Sequence, residues 1–119
     1  MQIDLSGKSA IVTGSTAGIG FAIAQGLANA GAEVTLTGRT QARVDKALSD
    51  LKAAVSGARV SGIAADLGTA EGCQALISAR PDTDILINNV GIFGPQDFFE
   101  TDDATWEQFF QVNVMSGVR

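Results

Sequence analysis

The sequence predicts a doubly wound α/β domain on a parallel sheet, and three observations carry that expectation. Short apolar or β-branched runs alternate with amphipathic stretches of helical length along the whole chain. Connections of that length are crossovers, which bring the next strand back parallel to the last and do so with a right hand. The ends of the runs carry "TGSTAGIG", "TGRT", "AADL" and "NNVG", so four polar or glycine-rich segments should meet beyond the carboxyl ends of the strands, where ligands sit in such sheets.

The first element, "SAIVTG", is a buried strand over Ser9 to Thr13 that stops at a glycine. A helix over Gly18 to Ala30 places Ile19, Ala22, Ile23, Leu27 and Ala30 near helical spacing, with Gly31 where a left-handed C-cap is wanted. "AEVTLTG" alternates as a second strand ending at Gly38, and Thr40 caps a helix over Gln41 to Val55 with Val44, Ala47, Leu48 and Leu51 on one face. "ARVSGIAAD" is a third strand, "TAEGCQALISA" a helix weakened by Gly72, and "DILIN" a fourth strand. After the loop "NVGIFGPQDFFET", a last helix starts at Asp102 or Asp103 and sets Trp106, Phe109, Phe110, Asn113 and Val114 on one side, as a buried apolar face carrying one amide.

Composition narrows the chemistry. The 119 residues are 45% hydrophobic and 18% charged, enough to build a core, and the net charge of -5 disfavours nucleic acid and anionic membrane as partners. Any anion site must therefore be built locally. One cysteine, Cys73, excludes an internal disulfide, and with no bilayer-length apolar run or signal-peptide pattern a cytoplasmic location is expected. The chain has no His and no Tyr, so the usual proton shuttle, the commonest metal ligand and a phenolic acid are all missing from it.

The glycine loop is the most informative stretch. Gly14 leaves the first strand sharply, Gly18 allows close approach of backbone, and Gly20 lies in the first helical turn where a side chain would collide with the sheet. Ser15 and Thr16 offer hydroxyls, and bare N–H groups around Ile19 present the positive end of the helix dipole, an arrangement suited to a pyrophosphate. The "GKS" of Gly7 to Ser9 mimics an ATPase loop but precedes the strand, which makes Lys8 a surface residue.

Together, "TGSTAGIG", "AADL", "NNVG" and the Asn of "QVNVMSG" resemble the classical short-chain dehydrogenase/reductase family over the whole chain. One departure is Val90, where that family usually has alanine. The resemblance implies a Rossmann fold with four of the usual strands in the order 3-2-1-4. It also implies hydride transfer between a nicotinamide cofactor and a small carbonyl compound or secondary alcohol. It assigns Asp66 and the amide of Leu67 to adenine, Asn89, Val90 and Gly91 to the adenosine and nicotinamide ribose side, and Val112 to the cofactor site. The competing reading of Asp66 is a helix cap or strand-end turn, and Asn88 is read as a structural amide that ties strands together.

The second strand ends in Gly38 and Arg39 rather than in the acid that accepts from the ribose of NAD. A guanidinium there grips a 2′-phosphate, so NADP is expected over NAD, with Arg43 one turn on to assist; the plain alternative is a solvated loop arginine. Glu33 is too early in its strand to serve. Of the catalytic residues that the family uses, only the asparagine has a counterpart, Asn113, whose competing reading is a helix-packing amide bonded to neighbouring main chain. The chain is thus expected to be the N-terminal, cofactor-binding half of such an enzyme over residues 1–119, cut within the helix that carries Asn113 and inactive alone. It is expected to join the rest of the protein or a second copy in a dimer or tetramer. The alternative is a non-catalytic dinucleotide-binding or redox-sensing module.

Overall fold

The computed structural model describes residues 1–119. Its elements are β1 (Ser9–Val12), α1 (Gly18–Asn29), β2 (Glu33–Gly38), α2 (Gln41–Ala54), β3 (Val60–Ala64), α3 (Ala70–Ala79), β4 (Ile85–Ile87) and α4 (Asp103–Phe110). A π-helical turn over Gln111–Met115 and a last α-helical turn, α5 (Ser116–Val118), continue α4, and a short 3-10 turn over Phe98–Glu100 precedes it. The four strands are all parallel and ordered β3-β2-β1-β4. Ile11 on β1 lies opposite Thr35 on β2 and Leu86 on β4, and Thr35 lies opposite Ser61 on β3.

The two faces of the sheet are covered unequally. Against α1 and α2, the inward residues Ala10, Val12, Val34 and Leu36 join Ala24, Ala28, Ala47, Leu51 and Val55 in a cluster of 10 buried residues. Fully burying a Val or Leu side chain contributes about 1.5–3 kcal/mol each, so this face holds the fold together. Small residues on α1 let it lie close to the sheet. The opposite face has a cluster of only 4, Ile11, Leu67, Cys73 and Leu76. Thr35 and Thr37 are buried there as polar residues. The Arg80 guanidinium meets part of that need, donating to the Thr35 hydroxyl at 3.2 Å and the Ser61 hydroxyl at 2.9 Å.

The last helix departs from the sequence reading in two ways. The π turn adds a residue to one turn of the ladder and so rotates α5 relative to α4. In addition neither α4 nor the π turn has a fully buried residue: Phe109 is half-buried, Trp106 is 55%, Phe110 48% and Val114 45% exposed, and Asn113 is exposed too. The expected apolar face is present as a pattern but is not buried, so burial of the Asn113 amide is not what explains it. No helix is long and apolar enough to cross a membrane.

Candidate functional site

β1 runs into the glycine loop, and the loop is fastened from both sides before it offers anything outward. On the β2 side, the Ser15 hydroxyl donates to the Val12 carbonyl at 2.6 Å and accepts from the Thr37 N–H at 3.0 Å, while the Ser15 N–H donates to the Thr37 carbonyl. Ser15 is fully buried. Its hydroxyl is therefore engaged inside the fold and is not offered to an anion, which corrects the sequence expectation. The Gly14 N–H donates to the Thr37 hydroxyl at 3.0 Å.

On the β4 side, the Thr13 hydroxyl accepts from the Asn89 and Val90 N–H groups at 2.9 and 3.1 Å, and the Asn89 amide donates to the Gly14 carbonyl at 3.1 Å. The strand-tying amide is thus that of Asn89. Asn88, assigned that role from sequence, is exposed and its side chain makes no hydrogen bond within the chain. Two adjacent asparagines alternate in direction along a strand end, and only the fold decides which one points inward.

The glycines take the parts their spacing suggested, with one refinement. Gly14 and Gly18 have φ of +61° and +60°, the left-handed region that side chains disfavour. A Cβ on Gly20 would lie 2.3 Å from the Gly14 carbonyl oxygen and 2.6 Å from the Asn89 amide nitrogen. The first turn of α1 thus sits directly on the loop. Its N-cap position, Ala17, has no side-chain cap, and the N–H groups of Gly18 and Ile19 find no acceptor in the chain. The Ile19 side chain itself stands 75% exposed.

Above the loop opens a cavity of about 400 Å³ whose lining gathers the four strand ends: Gly14, Thr16 and Ala17 from the first, Gly38 and Arg39 from the second, Asp66, Leu67 and Gly68 from the third, Asn89 to Ile92 from the fourth. Arg43 closes it from α2, and Gln108, Gln111 and Val112 from the last helix. Ser15, Gly18, Ile19, Gly20 and Asn113 lie outside that lining. Arg39 and Arg43 are exposed and engage no carboxylate; the chain's ion pair, Lys46–Asp50 at 2.9 Å, lies further along α2. Glu33 pairs in register with Ser9 at the opposite end of the sheet.

Asp66 is exposed, and one of its carboxylate oxygens accepts from the Gly68 N–H at 2.9 Å, so the strand-end turn is real and leaves its second oxygen free. The Leu67 side chain is buried in the second core cluster while its N–H has no acceptor in the chain. Asn113 holds Ile92 by a reciprocal pair, its amide oxygen accepting from the Ile92 N–H at 2.7 Å and its nitrogen donating to the Ile92 carbonyl at 3.0 Å. This is the main-chain reading of that residue. The loop aromatics Phe93, Phe98 and Phe99 are 93%, 70% and 92% exposed, with Phe98 set edge-on to Phe99 and Trp106. Neither the direction of the Ser15 hydroxyl nor the Ile92 pairing has a signature in local sequence.

Free donors at a helix start, two unpaired guanidiniums and a carboxylate at the far strand end suit an elongated ligand, anionic at its centre and on one flank, with an amino group at its end.

The family model for short chain dehydrogenase matches residues 8–119. The oxidoreductase YvaG of Bacillus subtilis (strain 168) is 50% identical over 119 residues, all of this chain and 45% of its own length. Galactitol 2-dehydrogenase (L-tagatose-forming) of Cereibacter sphaeroides is 40% identical over 110 residues, covering 92% of this chain and 43% of that protein. Among solved structures, the L-sorbose reductase from Gluconobacter frateurii, complexed with NADPH and L-sorbose, matches with a TM-score of 0.90 at 38% identity, over 99% of this chain and 46% of its own. The chain spans just under half the length of the relatives it matches.

Proposed function

The chain belongs to the short-chain dehydrogenase family, a family of oxidoreductases, and from that premise we propose that it is the cofactor-binding half of an NADP(H)-dependent enzyme acting on a small carbonyl compound or secondary alcohol. The observation that carries the proposal is the uncapped start of α1 beside a cavity that Thr16 and Ala17 line together with two unpaired arginines. When bound, NADP(H) supplies or accepts the hydride.

The bare N–H groups of Gly18 and Ile19 and the Thr16 hydroxyl bind the diphosphate, aided by the helix dipole. Arg39, with Arg43 one turn on, holds the 2′-phosphate; the free oxygen of Asp66 and the Leu67 N–H take the adenine edge. Val112 packs on the base, and Asn89, Val90 and Gly91 wall the ribose and nicotinamide side. Asn113 serves by fixing Ile92 at the end of that wall. The wider reading is a cytoplasmic homo-oligomer. It draws on the composition and on the relatives.

A second reading is that the protein binds the dinucleotide without turning substrate over. Both readings predict binding, and a carbonyl panel with NADPH oxidation as readout separates them.

Fluorescence titration of the full-length protein with NADPH and NADH is the direct test. NADPH should bind the more tightly. In Arg39→Asp a charge-assisted hydrogen bond worth about 1.5–3 kcal/mol is lost, so NADPH affinity should fall roughly 10- to 100-fold. An unchanged NADPH preference removes Arg39 from the site, and no binding of either cofactor ends the proposal.

A further inference from the structure

The end of β2 carries two independent features that concern cofactor choice. One is the guanidinium of Arg39. The other is the space at Gly38, where a carboxylate would have to stand in order to accept from an unphosphorylated ribose. A Cβ built at Gly38 would lie 2.5 Å from the Thr16 Cγ2 methyl and 3.2 Å from the Val44 Cγ2 methyl. The first distance is far inside van der Waals contact, so something must move before any side chain fits at position 38.

Val44 is held by packing and Thr16 by the backbone beneath it. Val44 is fully buried in the contact between α2 and the sheet. Thr16 comes directly after Ser15, which is pinned to Val12 and Thr37 by three hydrogen bonds, so the backbone beneath Thr16 does not shift freely. Both Thr and Val are β-branched and stiff at χ1. Position 38 itself is anchored, its carbonyl accepting from the Ala65 N–H at 2.9 Å.

We propose that Thr16 is a specificity-determining residue: its methyl group occupies the space that a carboxylate side chain at position 38 would need, so that the site keeps its preference for a 2′-phosphate even when the acid is supplied. This deepens the reading of the cavity as an NADP(H) site and rests on it. The consequence is a dependence between two positions. Gly38→Asp alone meets the Thr16 methyl, distorts the end of β2 and weakens both cofactors. Gly38→Asp with Thr16→Ser removes only that methyl, keeps a hydroxyl for the diphosphate, and lets the carboxylate reach the ribose.

The test uses the full-length protein in four forms: the parent, Gly38→Asp, Thr16→Ser and the double variant, each titrated with NADH and NADPH and melted without cofactor. The expected result is NADH affinity at least ten-fold higher in the double variant than in Gly38→Asp, with a melting temperature recovered by Thr16→Ser only in the presence of Asp at 38. Equal NADH affinity in Gly38→Asp and the double variant, with equal melting temperatures, overturns the proposal, because Thr16 would then have turned aside unaided. If the parent binds neither cofactor, the NADP(H) reading fails by itself; the cofactor-free melting temperatures still report whether Thr16 and position 38 collide.

Discussion

Four helices of more than one turn start at or near strand ends or loops, and they fall into two kinds. At α2, α3 and α4, the residues Thr40, Thr69 and Asp102 each accept a hydrogen bond from the N–H three residues on, so the first turn is satisfied by the chain. At α1 the same position is Ala17, extended at φ -159° and ψ 171°, and nothing caps the turn. The backbone geometry is ready for a cap in both cases; only the side chain differs. Three helix starts satisfy donors of their own first turn, and one leaves them open next to a cavity lined by Ala17, Arg39 and Arg43. Capping is a local stabiliser worth about 1 kcal/mol, so its omission at α1 is a cost in the free protein that a bound anion would offset.

The largest break in this contrast comes from Gly20. In Gly20→Ala the new methyl carbon would meet the Gly14 carbonyl oxygen and the Asn89 amide at once. The two are hydrogen-bonded to each other, so the loop and helix must part. A stability loss of roughly 1–3 kcal/mol is expected from overpacking, together with loss of NADPH binding, measured by thermal melting and titration. Gly26→Ala, on the same helix with nothing within 4 Å of its Cβ position, is the control; it should raise stability by about 0.5–1 kcal/mol and leave binding unchanged.

A smaller and more pointed effect comes from giving α1 the cap it lacks. Ala17→Asp places a carboxylate where Asp102 has one in α4, and should stabilise the cofactor-free protein by about 1 kcal/mol. The same carboxylate competes for the N–H groups and repels phosphate, so NADPH affinity should drop ten-fold or more. Thr69→Ala makes the reverse comparison: stability falls by about 1 kcal/mol with NADPH affinity unchanged. If Ala17→Asp stabilised the protein and left NADPH affinity intact, the open helix start would not be the anion's seat.

The same contrast explains what is legible in the sequence. Patterned features are legible there: the alternation of strands and helices, the capping residue Thr40, a last helix starting at Asp102 or Asp103, the glycines of the loop and the gathering of the four strand ends. Each of these is encoded within a few residues of itself. The inward turn of Ser15 is not legible, because the direction of its hydroxyl depends on Thr37, which is 22 residues away. Helical spacing puts Asn113 on the face of Trp106 and Phe110, but that face is exposed, and the partner of the Asn113 amide at Ile92 is 21 residues distant. The strand-tying amide falls to Asn89 rather than Asn88 for the same kind of reason. Long-range hydrogen bonds choose among equivalent local candidates, and local pattern cannot see them.

The smallest expected effect concerns the one carboxylate cap among the longer helices. Hydrogen bonds from the Thr105 hydroxyl and the Thr105 N–H hold the Asp102 carboxyl below its ordinary value. A depressed value in the folded state means that ionised Asp102 supports the fold fully above the ordinary carboxylate value of about 3.9, and that this support is lost as the pH falls through the lower folded value. In Asp102→Asn the cap persists without a titrating group, so the part of the acid-induced fall in melting temperature that belongs to α4 should flatten. A Thr69→Ser control, which keeps a neutral cap on α3, should leave that acid dependence as it is in the parent. The start of α1 has no ionisable cap, so the contrast between helix starts predicts that acid loosens α4 before it alters the donors offered at Gly18 and Ile19. A melting profile for Asp102→Asn with the same acid slope as the parent would show that the fall arises elsewhere.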